Sequence, residues 1–213
     1  DSITPSTFLV SVMHSNNELG VINDIAGISK ITKEKNVLLH TDSVQSIGKT
    51  HFNVNETGAD TATLSAHKIY GPKGIGALFI RQGISIDKFI HGGKQERERR
   101  GGTENIAAIA GFKKAVEILK QEMNSDIEKY SVLRNKLVTM LGERFGDSVI
   151  INSVGISKPG GACLQNIINI SFNPQKVTVD PDTLFIRMDL AGIAVSSGSA
   201  CSSGSPQPSH VLK

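Results

Sequence analysis

Short apolar runs alternate with a helical pattern along the first part of the chain. Phe8–Met13 is an apolar run of the length of a buried strand, and isoleucine then recurs every third residue from Ile22 to Ile31. This spacing indicates one stripe of a helix, which we expect to end near Lys35. A second apolar run, Val37–His40, predicts the next strand. Strand, helix and strand in this order form a βαβ unit, whose parallel sheet is covered by helices.

Two further strands are predicted on either side of a turn rich in glycine and proline. Thr61–Ser65 and Gly76–Ile80 have the length and composition of strands, and Tyr70–Gly74 lies between them. Glycine and proline interrupt regular structure, so we expect the chain to turn sharply there. The first part of the chain therefore predicts an α/β fold.

The pattern changes to that of long covering helices from Thr103 onward. A serine followed three residues later by a glutamate forms a capping box, which marks the start of a helix. Ser125–Glu128 has this spacing, so we expect a second helix to begin there. The apolar stripes of the two predicted helices are Ile109, Phe112, Val116 and Leu119 in the first and Tyr130, Leu133, Leu137 and Met140 in the second.

The remaining pattern predicts the start of a smaller α+β unit. Asn166–Phe172 resembles a strand, and a helix is expected near Pro181 to Leu190. We therefore expect part of a large domain in residues 1–122, and a linking helix with an incomplete small domain in residues 123–213. Because each end of the chain coincides with a predicted element, we expect a piece of a longer protein.

The composition narrows the class of protein, with 38% hydrophobic and 20% charged residues. A formal net charge of +3 is too small to indicate a nucleic-acid surface. No apolar run reaches the ~18 residues of a membrane span. The two cysteines are too few for a disulfide framework, and no secretory segment is evident. We expect a cytoplasmic protein that contacts neither membrane nor nucleic acid directly.

Two residues that follow predicted strands suggest a cofactor. Lys68 comes just after Thr61–Ser65, and Asp42 just after Val37–His40. Parallel sheets bind ligands at the carboxyl ends of their strands. A lysine there can form a Schiff base, and a nearby carboxylate can keep a pyridine nitrogen protonated, which is what pyridoxal phosphate requires. Taken singly, Lys68 could be a surface lysine and Asp42 a loop or capping residue.

The two cysteines lie in contrasting surroundings. Cys201 lies in Ser196–Gly204, a stretch of small and polar residues typical of a mobile, exposed loop. A thiol on such a loop could act as a nucleophile that carries its product out of a site. Cys163 precedes an apolar strand, and we expect it to be structural.

Two other segments invite a functional interpretation that the sequence does not support strongly. Gly71–Gly76 lacks the complete spacing of a nucleotide-binding loop, so we expect it only to turn the chain. Lys94–Arg100 mixes both signs of charge, as a solvated loop does. A secondary hypothesis is that its arginines line a dimer interface or the approach to the cofactor.

Five motifs occur in an order that resembles the pyridoxal-phosphate-dependent cysteine desulfurases of the class-V aminotransferase family. The resemblance covers essentially the whole chain, and it implies a fold type I large domain, with a mostly parallel sheet covered by helices, plus part of a smaller α+β domain. The five motifs are His14–Gly20, His40–Ser46, Ser65–Gly74, Arg100–Asn105 and Ser196–Ser202.

The resemblance also implies the roles of individual residues. Lys68 would form the Schiff base with pyridoxal 5'-phosphate, Asp42 would pair with the pyridine nitrogen, and Cys201 would receive the sulfur as a persulfide. His67 is placed with these catalytic residues and also beside the cofactor. The other cofactor contacts implied are Asn17 and Gln45 near the phenolic oxygen, Ser65 and His67 at the phosphate, and Thr103 at the phosphate of the second subunit of a homodimer.

The function implied is the removal of sulfur from L-cysteine, which gives L-alanine and a persulfide. The sulfur would pass to an acceptor protein, such as an iron–sulfur scaffold, or to tRNA thiolation. Two alternatives remain, namely a selenocysteine lyase of the same fold and a truncated, non-catalytic interaction module. In the family a phosphate-binding loop and a ring-stacking histidine come before the position of Asp1, and an arginine for the substrate carboxylate comes after Lys213.

Overall fold

A computed structural model describes residues 2–153, 162–196 and 209–212 of the chain. Within these residues, a four-stranded sheet has the order β1-β2-β3-β4. Strands β1 and β2 are parallel, β2 and β3 are parallel, and β4 is antiparallel to β3. The predicted α/β fold with a mostly parallel sheet is confirmed. The strands are β1 (Leu9–Met13), β2 (Leu38–Asp42), β3 (Thr61–Ser65) and β4 (Gly76–Ile80).

The chain divides into two compact units. The first comprises Asp1–Ser15 and Asn23–Asp126, and the second comprises Asn16–Ile22 and Ile127–Lys213. Among the described helices, none combines the length and apolarity needed to cross a membrane. The helices are α1 (Ile25–Glu34), α2 (Val54–Thr57), the short and irregular α3 (Gln95–Glu98), α4 (Ile106–Phe145) and α5 (Pro181–Leu190).

Helix α1 starts where the Asp24 side chain accepts a hydrogen bond from the Gly27 N–H group at 2.8 Å. It buries Ile25, whereas Ile31 is 54% exposed, and Ile22 precedes the helix. The predicted stripe is therefore only partly buried. Each step of three residues falls about 60° short of a full helical turn, so isoleucines at this spacing drift around the helix.

The core of the first unit lies between α1 and the sheet. Ile25 of α1 packs with Leu39 of β2 and with Ala59, and both Leu39 and Ala59 are fully buried. Partly buried Val10, Val12 and Ile28 complete this cluster. Burial of these side chains holds α1 against one face of the parallel strands.

Helix α4 is continuous over 40 residues, where the sequence predicted two helices. The capping box at Ser125–Glu128 is wrong because the Ser125 hydroxyl instead donates to the Glu122 carbonyl, one turn earlier, at 2.8 Å. A serine whose hydroxyl bonds back in this way is compatible with an uninterrupted helix.

The second unit contains a two-stranded antiparallel sheet within the described residues. Strand β5 (Val149–Ile151) was not predicted, and β6 (Ile170–Phe172) is shorter than the predicted strand Asn166–Phe172. Helix α5 has the predicted bounds. It begins at Pro181 because Asp180 caps its first turn, with the Thr183 N–H group donating to the carboxylate at 3.1 Å.

Candidate functional site

Lys68 lies on a tight turn at the end of β3. The turn is a 3₁₀ helix, Ala66–Ile69, in which Ala66 and Ile69 are buried. The Gly71 N–H group donates to the Ala66 carbonyl at 2.9 Å and closes the turn. A Cβ atom at Gly71 would lie 3.0 Å from the Ala66 side chain, so glycine permits this close packing. The lysine is therefore carried by an anchored segment at the sheet edge.

Asp42 is the last residue of β2 and lies opposite Thr63 of β3. Its side chain is exposed. Among the hydrogen bonds of the described residues, Asp42 Oδ1 accepts from the Val44 N–H group at 2.9 Å. Thr63 is two residues before the end of β3, so Asp42 and Lys68 reach the same carboxyl edge of the parallel strands. This is the edge at which parallel sheets bind ligands.

Ser65 and His67 form a hydrogen-bonded pair beside Lys68. The Ser65 Oγ atom lies 2.7 Å from His67 Nδ1. A neutral histidine either accepts from the hydroxyl through Nδ1 and keeps a donor at Nε2, or donates through Nδ1 and leaves the hydroxyl proton free. In both arrangements the pair presents a hydrogen-bond donor that could bind an anion.

Gln45 lies in the turn that follows β2, and the sequence analysis did not single out its neighbour Lys49. Lys49 Nζ donates to Gln45 Oε1 at 3.4 Å. Burial lowers the pKa of Lys49, and the positive charge of Lys68 lowers it further. Lys49 thus lies within electrostatic reach of Lys68. The only signal in the sequence was the four-residue spacing from Gln45, which is common and not specific.

A buried polar network supports the turn that carries Gln45. His14 Nδ1 lies 2.7 Å from Ser46 Oγ, which in turn lies 2.6 Å from Ser15 Oγ. The His14 ring meets the Phe52 ring edge to face, with the centroids 5.1 Å apart. Burial lowers the pKa of His14, which favours the neutral imidazole. The network fixes Ser46, the residue after Gln45.

Asn17 belongs to the second compact unit, in the turn formed by residues 16–22. The Asn16 side chain accepts hydrogen bonds from the N–H groups of Glu18 at 2.8 Å and Leu19 at 2.7 Å. Gly20 has a φ of 75°, in the left-handed region. These features give the backbone around Asn17 a defined shape.

A second segment of the same unit holds this turn in place. The Leu164 N–H group donates to the Gly20 carbonyl at 2.8 Å, and the Ile22 N–H group donates to the Ala162 carbonyl at 3.1 Å. Cys163 lies between these contacts, and its thiol is buried. Burial raises the pKa of this thiol against the opposing effect of the Arg134 charge. The expectation that Cys163 is structural agrees with this burial.

Thr103 is exposed in the loop that precedes α4. Arg100 organises this loop, because its guanidinium donates to the carbonyls of Gly101 at 2.8 Å, Gly102 at 3.0 Å and Thr103 at 3.4 Å. Asn105 Oδ1 accepts from the Ala108 N–H group at 3.1 Å in the first turn of α4. Arg100 therefore binds its own loop, which leaves the Thr103 hydroxyl on the surface.

The charged segment before this loop is solvated in part. Lys94 and Glu98 form an exposed ion pair at 2.8 Å, as expected for a mixed-charge surface segment. Cys201 lies outside the described residues, as does nearly all of the serine-rich loop Ser196–Gly204, so the mobility of this loop, expected from about Ser197 to Ser209, stays a prediction. The first unit thus brings Asp42, Ser65, His67 and Lys68 to one sheet edge, with Gln45 on the turn after β2.

The amino-acid sequence of the chain is similar to that of a known protein family. The family model described as "Aminotransferase class-V" matches residues 1–213. The chain is 44% identical over 211 residues to "Cysteine desulfurase IscS" of Dictyoglomus turgidum, covering 99% of this chain and 51% of the relative. The corresponding protein of Clostridium botulinum is 43% identical over 212 residues, covering 100% and 51%. The chain spans about half the length of the curated relatives it matches.

Solved structures give the same picture of the fold. A NifS-like protein from Rickettsia africae matches with a TM-score of 0.82 and 37% identity, covering 93% of this chain and 52% of the other. A structure described as "SspA in complex with cysteine" matches with a TM-score of 0.71 and 31% identity, covering 99% and 55%. The similarity therefore extends over both compact units of the chain.

Proposed function

The chain belongs to the class-V aminotransferase family, and from this premise we propose that it forms part of a pyridoxal-phosphate-dependent cysteine desulfurase. The observation that carries the proposal is the placement of Lys68 and Asp42 at the carboxyl ends of adjacent parallel strands. The names of its relatives and the cysteine bound in one structural neighbour support the choice of reaction.

The donor set at the sheet edge fits pyridoxal phosphate. When bound, this cofactor supplies an electron-accepting ring that stabilises negative charge on an amino acid. Lys68 offers an amine for its aldehyde, and Asp42 offers a carboxylate for its ring nitrogen. Ser65 and His67 offer a donor for its phosphate, and Gln45 offers an amide for its phenolic oxygen. Each group matches the chemistry of the partner proposed for it.

Asp42 would hold a proton on the ring nitrogen. Its Oδ1 atom accepts from the Val44 N–H group, which fixes the orientation of the carboxylate. The side chain is exposed, so its other oxygen can accept a hydrogen bond from a bound ring. A negative charge beside a basic nitrogen favours its protonated form.

Cys201 is proposed as the sulfur acceptor. Its thiolate would attack the sulfur of L-cysteine while the bond between that sulfur and its carbon breaks. The electron pair of that bond stays with the carbon, which takes up a proton to give L-alanine. One cysteine and one enzyme thiol thus give one alanine and one persulfide, and no external oxidant is required.

We extend the proposal to the partners and organisation of the whole protein. The persulfide would pass to an acceptor protein such as an iron–sulfur scaffold, in a homodimer located in the cytoplasm. Thr103 would then face the phosphate of the second subunit, and Asn17 would contact the cofactor near its phenolic oxygen. In this scheme residues 1–122 belong to the cofactor-binding domain, and residues 123–213 belong to an incomplete small domain.

The test is covalent capture of the cofactor. The 213-residue chain is mixed with pyridoxal phosphate, and visible absorbance reports a lysine-bound cofactor. Borohydride reduction and peptide mapping should then find the label on Lys68, and a Lys68→Ala variant should take up no label. Label on Lys73 or Lys94 instead would contradict the assignment. A chain that takes up no cofactor would favour the non-catalytic interaction module.

A second assay separates the sulfur reaction from its selenium counterpart. Turnover of L-cysteine and of L-selenocysteine is compared in the wild type and in Cys201→Ala. A desulfurase should lose its activity on cysteine with this variant. Loss of neither activity would support the selenocysteine lyase, because removal of selenium depends less on an attacking cysteine.

A further inference from the structure

Lys49 is a half-buried lysine beside the candidate site, and the proposed chemistry gives it no role. Its ammonium group donates to Gln45 Oε1 at 3.4 Å, four residues earlier in the chain. Within the described residues Lys49 forms no ion pair with a carboxylate. Holding an ammonium group partly away from water without a counter-ion carries a free-energy cost, so its position needs an explanation.

A second positive charge, that of Lys68, lies near Lys49. Lys68 is close enough for its charge to lower the pKa of Lys49, in addition to the effect of burial. Two amines held near one another make the local electrostatic potential more positive, which attracts an anionic group. The candidate site would therefore favour a ligand that carries negative charge near Gln45.

The contact with Lys49 also fixes which end of the Gln45 amide faces which way. An ammonium group can only donate hydrogen bonds, so it selects the carbonyl oxygen of the amide. The amide is planar, and its NH₂ group then lies on the other side, turned away from Lys49. If the Gln45 amide were flipped, its carbonyl oxygen would instead face the phenolic oxygen proposed as its partner in the cofactor. Two oxygens that face each other without a hydrogen between them repel.

We propose that Lys49 is a positioning residue, which holds the Gln45 amide oxygen so that the amide NH₂ group is free to donate to the phenolic oxygen of the cofactor. The inference rests on the proposed function, because Gln45 is assigned to that oxygen there. Lys49 itself acts through Gln45 and is not proposed to react.

The first experiment requires no cofactor. In a chain labelled with ¹⁵N-glutamine, NMR records the side-chain amide signals, and a Gln45→Ala variant assigns that of Gln45. Lys49→Met keeps most of the side-chain length but removes the donor and the charge, so the Gln45 amide signals should shift. Lys49→Arg should leave them close to the wild-type positions. If Lys49→Met leaves the Gln45 signals unchanged, the contact does not orient the amide and the proposal is overturned.

The second experiment measures the dissociation constant of pyridoxal phosphate by absorbance titration. Lys49→Met should weaken binding about tenfold, as expected for a lost charge-assisted hydrogen bond, and Lys49→Arg should retain most of the affinity. Lys30→Met is the matched control, because Lys30 is an exposed lysine on α1. An unchanged dissociation constant for Lys49→Met would contradict the proposal.

A double-mutant cycle shows whether Lys49 acts through Gln45. If it does, Lys49→Met combined with Gln45→Ala should bind the cofactor no more weakly than Gln45→Ala alone. Fully additive losses would show that Lys49 acts independently, which would overturn the positioning role. If the wild-type chain binds no cofactor, the proposed function fails for this chain, while the glutamine NMR experiment still decides whether Lys49 orients Gln45.

Discussion

Arg134 donates a hydrogen bond to the carbonyl of Leu164 at 3.1 Å, although its side chain is among the most deeply buried in the second unit. The same guanidinium also donates to the carbonyls of Ile167 and, at 3.5 Å, Ser153. Leu164 in turn holds the turn that contains Asn17, through the carbonyl of Gly20. Within the described part of the chain, this buried arginine thus donates to backbone carbonyls and forms no ion pair with a carboxylate.

We expect Arg134→Met to destabilise the chain by about 2 kcal/mol. The substitution leaves buried carbonyls without donors, at a cost of ~1–3 kcal/mol for each, and this loss outweighs the relief of removing a buried charge. Chemical denaturation of the purified chain measures the free energy of unfolding. Lys136→Met, at an exposed position on the same helix, is the control. Equal stability of the two variants would show that the carbonyl contacts contribute little.

Two glycine substitutions should change stability in opposite directions. A Cβ atom at Gly20 would lie 2.9 Å from the Cys163 sulfur, and the φ of 75° is unfavourable for alanine. Gly142 lies in α4 with open space where its Cβ would be. Gly20→Ala should therefore cost ~1–2 kcal/mol, whereas Gly142→Ala should add up to ~1 kcal/mol through helix propensity. Thermal unfolding of both variants measures the difference, and a stabilising Gly20→Ala would refute the strain argument.

The sequence predicted the strands of the first unit well because each is a short apolar run bounded by turn residues, as in Thr61–Ser65. It failed at Ser125–Glu128, where the residue spacing of a capping box is present but the Ser125 hydroxyl bonds to Glu122 within one long helix. A local motif indicates only that a helix could begin there. Whether the preceding residues are also helical depends on packing along α4, which the motif does not encode.

The candidate site was predictable only in part. Asp42 and Lys68 could be placed at one edge because strand order and direction follow from the βαβ pattern. Lys49 and His14 could not, because their importance arises from burial and from contacts with Gln45 and Ser46. Burial of a single polar side chain depends on the complete tertiary structure, and the spacing of residues in the sequence does not predict it.

The stability of the chain should fall below about pH 6.5, in part because of His14. Burial lowers the pKa of His14 in the folded state, so between the two pKa values the unfolded chain binds more protons at this residue. The neutral form's contribution to stability is fully present above the unfolded pKa and is lost as the pH falls toward the folded pKa. The slope from one such group is at most ~1.4 kcal/mol per pH unit.

The free energy of unfolding at pH 7.5 and pH 5.5 tests the role of His14. His14→Gln should be less stable than wild type at the higher pH, because the contact with Ser46 changes, but should lose less stability on acidification. His91→Gln is the control, since His91 is an exposed histidine of the same unit. If His14→Gln and wild type show the same dependence on pH, another group is responsible for the loss.

Asp42→Asn should separate the chemical role of the carboxylate from its structural role. The substitution is nearly isosteric, and an amide oxygen can still accept from the Val44 N–H group that now binds Asp42 Oδ1. Because the side chain is exposed, the free energy of unfolding should change by less than ~0.5 kcal/mol. The neutral amide cannot hold a ring nitrogen protonated, so cysteine turnover should fall by roughly 100-fold.

Alanine formation from L-cysteine measures this loss, with Asp87→Asn at an exposed loop position as the control. An Asp42→Asn chain with wild-type turnover would show that the ring nitrogen does not face β2, whereas loss of turnover together with loss of stability would indicate a structural role for the carboxylate.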